Sequence, residues 1–299
     1  MTKLSVVINT LNEEKNLPRA LGSVKSLVDE IIVVDMSSDD RTREIAKKFS
    51  AKVFGYPRTN YVEPARNFAI SKASGDWVLI LDADEEISGG LVKKITETIK
   101  SPKADFFRIP RKNIIFGKWV KHSRWWPDYN IRLFKKGSVT WNEVIHSVPM
   151  TAGIGADFPE QEECALIHHH YESIGQYVER LNRYTSIQAK ERIKEGYVFH
   201  WTDIVQKPAS EFFSRYFAAE GYKDGLHGLA LALLQSFSEL VLILKVWEQE
   251  KFKEQNIGLP EISKSLNEFQ SDLNYWKADS LLKQKHNPWQ IIKRKFRLP

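Results

Sequence analysis

The sequence contains one cysteine, Cys164, among its 299 residues. A single cysteine excludes a disulfide bond within the chain and is typical of a reducing compartment, so we expect a cytoplasmic protein. We expect no secretory signal peptide, because the apolar run near the start, Leu4 to Ile8, is too short for one.

Acidic residues are absent between Ser280 and Pro299, a stretch that contains six lysines and arginines. The formal net charge of the chain is +6, so the rest of it is neutral overall. A basic tail suits peripheral contact with an anionic membrane surface or an acidic partner, but a frayed terminus that aids solubility has the same composition. We therefore expect either a tail directed to the membrane or an inert one.

Two glycine motifs that bind nucleotides are also missing. No Gly-x-Gly-x-x-Gly follows the first apolar run, and no Gly-Lys-Ser/Thr segment occurs, which argues against a Rossmann dinucleotide site and a P-loop NTPase. A sugar nucleotidyltransferase is an alternative function, but it should carry a glycine-rich loop with Lys or Arg after the first strand. The stretch from Asn9 to Glu14 has no such loop.

An acidic segment follows a short apolar run near residue 80. Trp77 to Leu81 is unbroken in its apolar character, as in a strand buried on both faces of a parallel sheet. Asp82 and Asp84 come directly after it, at the sheet edge where ligands bind in open α/β folds. Only Ala83 separates them, so both carboxylates can face one Mg²⁺ or Mn²⁺ ion and the diphosphate it grips. The alternative is a solvated acidic loop.

The first 55 residues alternate between strand and helix patterns. Apolar, β-branched runs predict strands at Leu4–Ile8, Glu30–Asp35 and Lys52–Gly55. Apolar residues at helical spacing fill the intervals, and we expect Asn12 and residues 37–39 to supply the N-caps of the two helices. This β-α-β-α-β order predicts right-handed crossovers and a parallel sheet.

Four of these segments together resemble the family 2 glycosyltransferases. The likeness covers about residues 3–100, and its motifs occur in the family's order: Ser5–Glu14, Ile32–Asp35 followed by Ser38 and Asp40, Ala65–Asn67, and Leu81–Asp84. The resemblance implies a GT-A fold and an inverting enzyme that uses a nucleotide sugar, expected to be UDP-glucose, with Mn²⁺ or Mg²⁺. A non-catalytic protein that binds nucleotide sugars is the other alternative.

The resemblance also implies a role for each motif residue. Thr10 and Glu13 would line the nucleoside pocket, Asp35 would accept a hydrogen bond from the uracil ring, Arg66 would approach the base or diphosphate, Asp82 would lie by the ribose, and Asp84 would bind the metal. The chain departs from the usual Asp-Gly-Ser after Asp35, since Met36-Ser37-Ser38 stands there and a second carboxylate facing uridine is missing. Leu11 replaces an aromatic residue that often stacks on the base.

Segments of the second half resemble a narrower group, the lipopolysaccharide-core β-1,4-glucosyltransferases. The segments are Trp126–Asp128, Ile131–Phe134, Trp141, Val144–His146, Tyr216–Phe217 and Gly221–Gly225. This likeness implies transfer to a saccharide or lipid-linked saccharide at the inner face of the cytoplasmic membrane, and no nucleic-acid partner. That group often has Glu directly after the histidine, where this chain has Ser147, so the identity of the general base stays open.

Candidate acceptor and catalytic residues lie between residues 101 and 172. Aromatic faces pack against sugars and cations suit acidic acceptors, which makes Trp125, Trp126, Trp141 and Arg132 the acceptor candidates. The general base is expected to be Glu143, with Asp128 second and His146 third. His146 or His168 is expected to complete the metal shell.

The last part of the chain has helical periodicity. Apolar residues from Ile174 to Ile187 predict an amphipathic helix, and Leu229 to Trp247 predicts a strongly apolar one. Glu239 near the middle of that run makes a spanning helix costly, so we expect it to pack on other helices or lie on a membrane surface. The predicted fold class is α/β of GT-A type, with a mostly parallel sheet. We expect a catalytic domain at 1–172, with a nucleotide-sugar half at 1–100 and an acceptor half at 101–172, and a helical region at 173–299. A homo-oligomer is a further expectation for this chain.

Overall fold

The computed structural model describes residues 2–59, 62–142, 149–285 and 287–299. The chain forms two compact units. The N-terminal unit comprises residues up to Ile114 together with Trp126–His170, and the C-terminal unit comprises Ile115–Trp125 and Tyr171–Pro299. The short segment Ile115–Trp125, which the sequence places in the middle of the predicted acceptor half, thus belongs with the helical unit.

The N-terminal unit contains a large mixed sheet flanked by helices. The strands of this unit are β1 (Leu4–Thr10), β2 (Glu30–Asp35), β3 (Lys52–Gly55), β4 (Trp77–Ile80), β5 (Glu85–Ile87), β6 (Phe106–Ile115), β8 (Asp128–Lys135), β9 (Val139–Thr140), β10 (Met150–Thr151), β11 (Gly155–Asp157) and β12 (Leu166–Tyr171). Strand β7 (Lys118–Trp119) lies in the C-terminal unit. The helices of the N-terminal unit are α1 (Leu17–Val24), α2 (Thr42–Lys48), α3 (Glu63–Ser71) and α4 (Gly89–Lys100).

The strand order across the sheet is β3-β2-β1-β4-β8-β6-β12-β5. Strands β3, β2, β1 and β4 run parallel, as the β-α-β pattern predicts, and β8 runs antiparallel to both β4 and β6. Apolar clusters cover both faces of the sheet. Strand β1 is therefore buried at every position, although its side chains alternate between the two faces. Leu4, Val6 and Ile8 join one cluster, and Val7 joins the other. The carboxyl ends of β1, β2 and β4 therefore open at one edge of the sheet.

The N-cap predictions for the first two helices are wrong. Asn12 lies before α1 with a φ of 57°, and helix α1 begins at Leu17, so Glu13 and Glu14 are outside its first turn. The side chain of Asn12 instead accepts a hydrogen bond from the Asp39 N–H at 2.8 Å, while the Ser38 hydroxyl accepts from the Asn12 N–H at 2.9 Å. These polar groups link the β1–α1 loop to the β2–α2 loop, which is why they do not cap their own helices.

The C-terminal unit is helical apart from β7. Its helices are α5 (Ile174–Lys194), α6 (Asp203–Phe212), a π-helical turn (Phe213–Ala218), a 3₁₀ turn (Gly221–Asp224), α7 (Leu226–Gln249), α8 (Leu259–Gln284) and α9 (Pro288–Phe296). The predicted helices at 174–187 and 229–247 are confirmed and lie within α5 and α7. A core of Ala189, Phe199, Leu242, Ile243 and Val246 joins α5 to α7.

The segment Ile115–Trp125 is held in the C-terminal unit by the buried carboxylate of Asp224. That carboxylate accepts a hydrogen bond from the His122 N–H at 2.8 Å, and the Asp224 carbonyl accepts one from Lys118 Nζ at 2.8 Å. Ile115 and Val120 are fully buried against Leu231 of α7.

Candidate active site

Polar residues from three parallel strands meet at the carboxyl edge of the sheet. Thr10 ends β1 and Asp35 ends β2, and the two are direct partners in the parallel register. Asp82 and Asp84 follow β4, which pairs with the other side of β1. Thr10 and Asp35 are buried and the Asp82 and Asp84 side chains are mostly covered, so these residues form a largely buried polar site, here called the recess, rather than an exposed acidic loop.

The Thr10 and Asp35 side chains are only partly satisfied by the protein. Thr10 Oγ1 is buried and forms no hydrogen bond with any described residue. The Asp35 carboxylate accepts long hydrogen bonds from the Ser38 N–H, at 3.2 and 3.4 Å, and Arg43 Nε lies 3.8 Å away. Buried polar groups in native proteins normally have hydrogen-bond partners, so these two side chains can form hydrogen bonds with a ligand.

Glu13 lies beside this recess in the loop after β1. Its Oε2 accepts a hydrogen bond from Asn16 Nδ2 at 2.9 Å, and its N–H donates to Thr42 Oγ1 at 2.8 Å. The Thr42 hydroxyl in turn donates to Asp40. Glu13 therefore takes part in the link between the first two loops.

Asp82 lies between two arginines. Arg66 Nη2 donates to one carboxylate oxygen at 3.0 Å, and Arg132 Nη2 donates to the other at 2.6 Å. Burial alone would raise the pKa of Asp82, but the charges of Arg132 and Arg66 outweigh it and hold that pKa well below its usual range. Asp82 is therefore ionised and fixed in place at neutral pH.

Arg132 was predicted to contact the acceptor, but the structure places it elsewhere. It is 4% exposed, and the same Nη2 also donates to the fully buried Glu85 at 2.6 Å. Burial would lower the pKa of Arg132, whereas the Asp82 and Glu85 carboxylates raise it. The guanidinium is thus enclosed between two acids, because a buried cation needs paired charges, and it is not displayed to an acceptor.

Arg66 projects from the first turn of α3. It is 9% exposed, and its Nη1 is buried without a hydrogen-bond partner among the described residues, although Nη2 is bonded to Asp82. Its guanidinium carbon lies 5.9 Å from the Trp141 ring centroid. Trp141 is itself fixed by two hydrogen bonds to Asn67, at 2.6 and 2.9 Å. Trp141 is therefore a buried support for Arg66, with 8% exposure, and not an open acceptor platform.

Asp84 lies beside two neighbouring histidines of β12, His168 and His170. One Asp84 carboxylate oxygen lies 3.5 Å from His168 Nε2, and His170 Nδ1 lies 3.2 Å from the same nitrogen. Asn113 fixes the His168 ring through a 2.6 Å contact between its Oδ1 and His168 Nδ1. His168 is 4% exposed.

The chain is similar in sequence to proteins of a known family. The sequence profile described as glycosyl transferase family 2 matches residues 5–154. An uncharacterised glycosyltransferase of Rickettsia typhi is 32% identical over 257 residues, which cover 83% of this chain and 88% of that protein. The chain belongs to glycosyl transferase family 2. This membership confirms the predicted GT-A fold class, with its C-terminal helical region, and the glycosyltransferase activity.

Other relatives of this family 2 glycosyltransferase are more distant. A protein of Rhizobium meliloti named lipopolysaccharide core biosynthesis glycosyltransferase LpsC is 22% identical over 259 residues, covering 84% of this chain and 94% of that one. A solved structure of glucosyl-3-phosphoglycerate synthase from Mycobacterium tuberculosis, in complex with Mn²⁺, UDP and glucosyl-3-phosphoglycerate, is 24% identical, with a TM-score of 0.33 and coverage of 37% of this chain and 44% of that chain.

The described residues of this glycosyltransferase fit a metal that is shared with the substrate. They contain no group of three or more His, Cys, Asp or Glu arranged to hold a metal alone. Mg²⁺ is usually bound through one or two carboxylates together with substrate phosphates, and imidazole also suits Mn²⁺. Asp84 and the adjacent His168 offer that donor set, so they would hold the ion together with a diphosphate.

Of the three candidates for the general base, the structure describes Asp128 alone. Glu143 and His146 lie outside the described residues. Asp128, at the start of β8, accepts hydrogen bonds on one oxygen from Arg111, at 2.5 and 2.9 Å, and from Asn113 at 3.2 Å, and its other oxygen contacts Asn130 Nδ2 at 3.2 Å. Three of these contacts fall on one oxygen, and the paired Arg111 cation stabilises the ionised carboxylate and makes it a weaker base, which favours a structural role for Asp128.

The two remaining acceptor candidates are neighbours in sequence that belong to different units. Trp125 lies in the C-terminal unit, half-buried, with the Arg215 guanidinium 5.7 Å from its ring centroid. Trp126 lies in the N-terminal unit and is also half-buried.

Three site residues were missed from the sequence, namely Glu85, Arg111 and Asn113. Glu85 is fully buried and joins Arg132 to Arg111, whose Nη1 lies 3.6 Å from it. Arg111 and Asn113 are two residues apart on β6 and therefore share one face of the strand. Polar residues at that spacing in an apolar strand were the available signal for a buried network.

Proposed function

We propose that this glycosyltransferase moves a hexose, glucose from UDP-glucose, with inversion to a hydroxyl of a lipopolysaccharide-core or other cell-surface polysaccharide. The observation that carries the donor part is the buried Nη1 of Arg66 beside the carboxylate edge, which has no hydrogen-bond partner among the residues that the structure describes. A buried guanidinium with a free donor is suited to the oxygen of a diphosphate, since arginine pairs strongly with phosphate groups.

Each residue of the recess has a different role in donor binding. Asp35 and Thr10 offer an acceptor and a hydroxyl to the nucleoside, and Arg66 donates to the diphosphate. Asp82, held by Arg66 and Arg132, presents its carboxylate to the ribose hydroxyls. Asp84 with His168 would hold Mn²⁺ or Mg²⁺, which when bound would neutralise charge on the departing nucleoside diphosphate.

Inversion requires an acceptor hydroxyl in line with the departing group and a base that takes its proton. Glu143 is our candidate for that base, and Asp128 is the less suitable one because one of its oxygens is held by Arg111 and Asn113. Glu143→Gln should keep UDP affinity and lose transfer, while Asp128→Asn should chiefly lower thermal stability. The reverse outcome would assign the base to Asp128.

The donor is tested by a screen of UDP, GDP and dTDP sugars that reads hydrolysis of each nucleotide sugar in the presence of Mn²⁺. We expect UDP-glucose to be hydrolysed fastest. Preference for a GDP or dTDP sugar would refute the donor assignment, and binding of UDP without turnover of any sugar or acceptor would favour a non-catalytic binding protein.

The acceptor proposal is supported by the resemblance of the second half of the chain to lipopolysaccharide-core enzymes and by the distant relative of that name. Purified core oligosaccharides, with and without terminal heptose phosphates, provide the test. Transfer of radiolabelled glucose to any of them is the expected result, and transfer only to a small phosphorylated acid would contradict it.

A further inference from the structure

Helix α7 carries its polar side chains toward the protein. Glu239 pairs with Arg192 of α5 at 3.0 Å, and Gln235 Nε2 donates to Tyr177 Oη of α5 at 2.8 Å. Lys245 Nζ donates to the Asn182 side chain of α5 at 2.7 Å. The polar residues that interrupt the apolar run are thus satisfied within the C-terminal unit.

The opposite face of α7 is apolar and uncovered. Leu226, Leu233 and Phe237 are 79%, 53% and 48% exposed. Further apolar residues of α7 recur at helical spacing on the same face and are half-buried: Ala230, Leu240, Val241 and Leu244. At 1.5 Å per residue the face from Leu226 to Leu244 is about 27 Å long. This outward stripe is additional to the buried apolar residues of α7, such as Leu242 and Ile243, whereas the outer face of a surface helix in a soluble protein is normally polar.

Composition agrees with this geometry. Among the described helices, α7 is the one whose length and hydropathy suit a membrane, and only 28% of its most apolar stretch is buried. Continuous apolar surface of this size usually marks an interaction site. The candidate occupants are a second copy of the chain and a lipid bilayer.

Charge on the same unit favours the bilayer. Helix α9 exposes Trp289, Ile292 and Phe296 at helical spacing, with 58%, 41% and 62% exposure. Its residues Lys293 and Lys295 form no ion pair with any described residue, whereas Arg294 is paired with Asp279. Anionic head groups would attract these uncompensated lysines, and exposed aromatic and basic residues on one short helix are typical of helices that lie on a membrane surface.

We propose that the C-terminal unit docks on an anionic membrane surface, with the apolar face of α7 in the interfacial layer and the aromatic and lysine side chains of α9 among the head groups. The helix lies along the membrane and does not cross it, because α5, which packs along α7, carries many charged residues that hydrocarbon would not accept. The proposal places the chain at the cytoplasmic membrane independently of which sugar it transfers.

The test is flotation of the full chain with phosphatidylcholine vesicles and with vesicles that also contain phosphatidylglycerol. Binding to the anionic vesicles that weakens with salt is expected. The double substitution Leu233→Glu, Phe237→Glu should weaken partitioning roughly tenfold or more, since it places two charges on the docking face. Val198→Glu is the matched control, because Val198 is 73% exposed in the same unit but outside α7 and α9. Circular dichroism and thermal unfolding establish that each variant is folded.

A single-site label assigns the face directly. The native Cys164 is buried, so a fluorophore attached at Leu233→Cys or at the control Val198→Cys reports one position. A blue shift with vesicles at position 233 and none at position 198 is expected. Equal binding by the double variant, or flotation without a shift at position 233, would overturn the assignment of α7. A wild-type dimer that the double variant dissociates, without flotation, would identify a second copy as the occupant and overturn the proposal.

Discussion

The two terminal nitrogens of Arg66 have different surroundings, and that difference can be tested. Nη2 is bonded to Asp82 and Nη1 is buried without a described partner. We expect Arg66→Ala to weaken UDP binding about 10- to 100-fold, the loss of a charge-assisted hydrogen bond of about 1.5–3 kcal/mol, and to weaken uridine binding much less, because Arg132 still holds Asp82. Isothermal titration with both ligands measures this. Arg108→Ala is the control, since the Arg108 side chain is 51% exposed and pairs with Asp157; equal losses for UDP and uridine would contradict a diphosphate contact.

Asp84 and Glu86 are two residues apart and form a matched pair of acids. Asp84 lies beside His168, whereas Glu86 pairs with His169 at 3.2 Å and its side chain is 34% exposed. Asp84→Ala should abolish metal-dependent transfer and UDP-dependent Mn²⁺ binding, and Glu86→Ala should preserve both. Paramagnetic resonance of Mn²⁺ with UDP present, together with turnover, provides the measurement. Unchanged turnover in Asp84→Ala would remove this residue from the metal site.

The positions of single residues were predictable from the sequence where a motif coincides with a strand end, while their roles stay predictions. Thr10, Asp35, Arg66 and Asp82 do meet at one edge, because each follows or faces a parallel strand whose position the apolar pattern predicts. Arg132 was misplaced since its partners, Asp82 and Glu85, are about 50 residues away in sequence. Residue type alone cannot distinguish a buried arginine from an exposed one.

Close packing of backbone fixes the start of α7. A Cβ added at Gly228 would lie 1.8 Å from the Gly221 carbonyl oxygen. Gly228→Ala must therefore push the helix away from the 3₁₀ turn, and we expect it to destabilise the protein by about 1–3 kcal/mol, the usual cost of overpacking.

Gly22 in α1 provides the opposite case, since a Cβ added there meets no atom within 4 Å. Gly22→Ala should stabilise the protein by about 0.5–1 kcal/mol, because alanine loses less backbone entropy in a helix. Calorimetric unfolding of both variants measures the pair. A neutral Gly228→Ala would show that the turn and the helix can separate freely.

Elements were easier to predict than their ends. Helical spacing identified α5 and α7, but the N-caps predicted near α1 and α2 were wrong because Asn12 and Ser38 bond to each other's loops. The same limit applies to Ile115–Trp125, whose place in the C-terminal unit depends on Asp224, about 100 residues later. Such distant partners leave no local pattern.

Acid stability of the whole protein should depend on Glu30. Burial would raise its pKa, but bonds from Lys52, Ser5 and Ser74 lower it from 4.5 to about 2. A lowered carboxyl pKa stabilises the folded state above pH 4.5, and this contribution is lost as the pH falls toward 2. It amounts to about 3 kcal/mol at neutral pH.

Urea unfolding of wild type and Glu30→Gln at about pH 7 and about pH 3 tests this contribution. The difference in unfolding free energy should be large at the higher pH and smaller at the lower one. Glu97→Gln, at an exposed position of α4, is the control and should show little difference at either pH. A pH-independent difference would mean that Glu30 acts through packing alone.

The hydrogen bonds that tie the β1–α1 loop to the β2–α2 loop have a consequence for how the donor arrives. Asn12 with Asp39, Asn12 with Ser38, and Glu14 with Asp40 join the two loops through the protein's own groups. Little chain entropy remains to be lost there when the base enters. The rate of nucleotide capture should then be governed by diffusion and desolvation instead of by loop ordering, and amide exchange in both loops should slow only slightly when UDP is added.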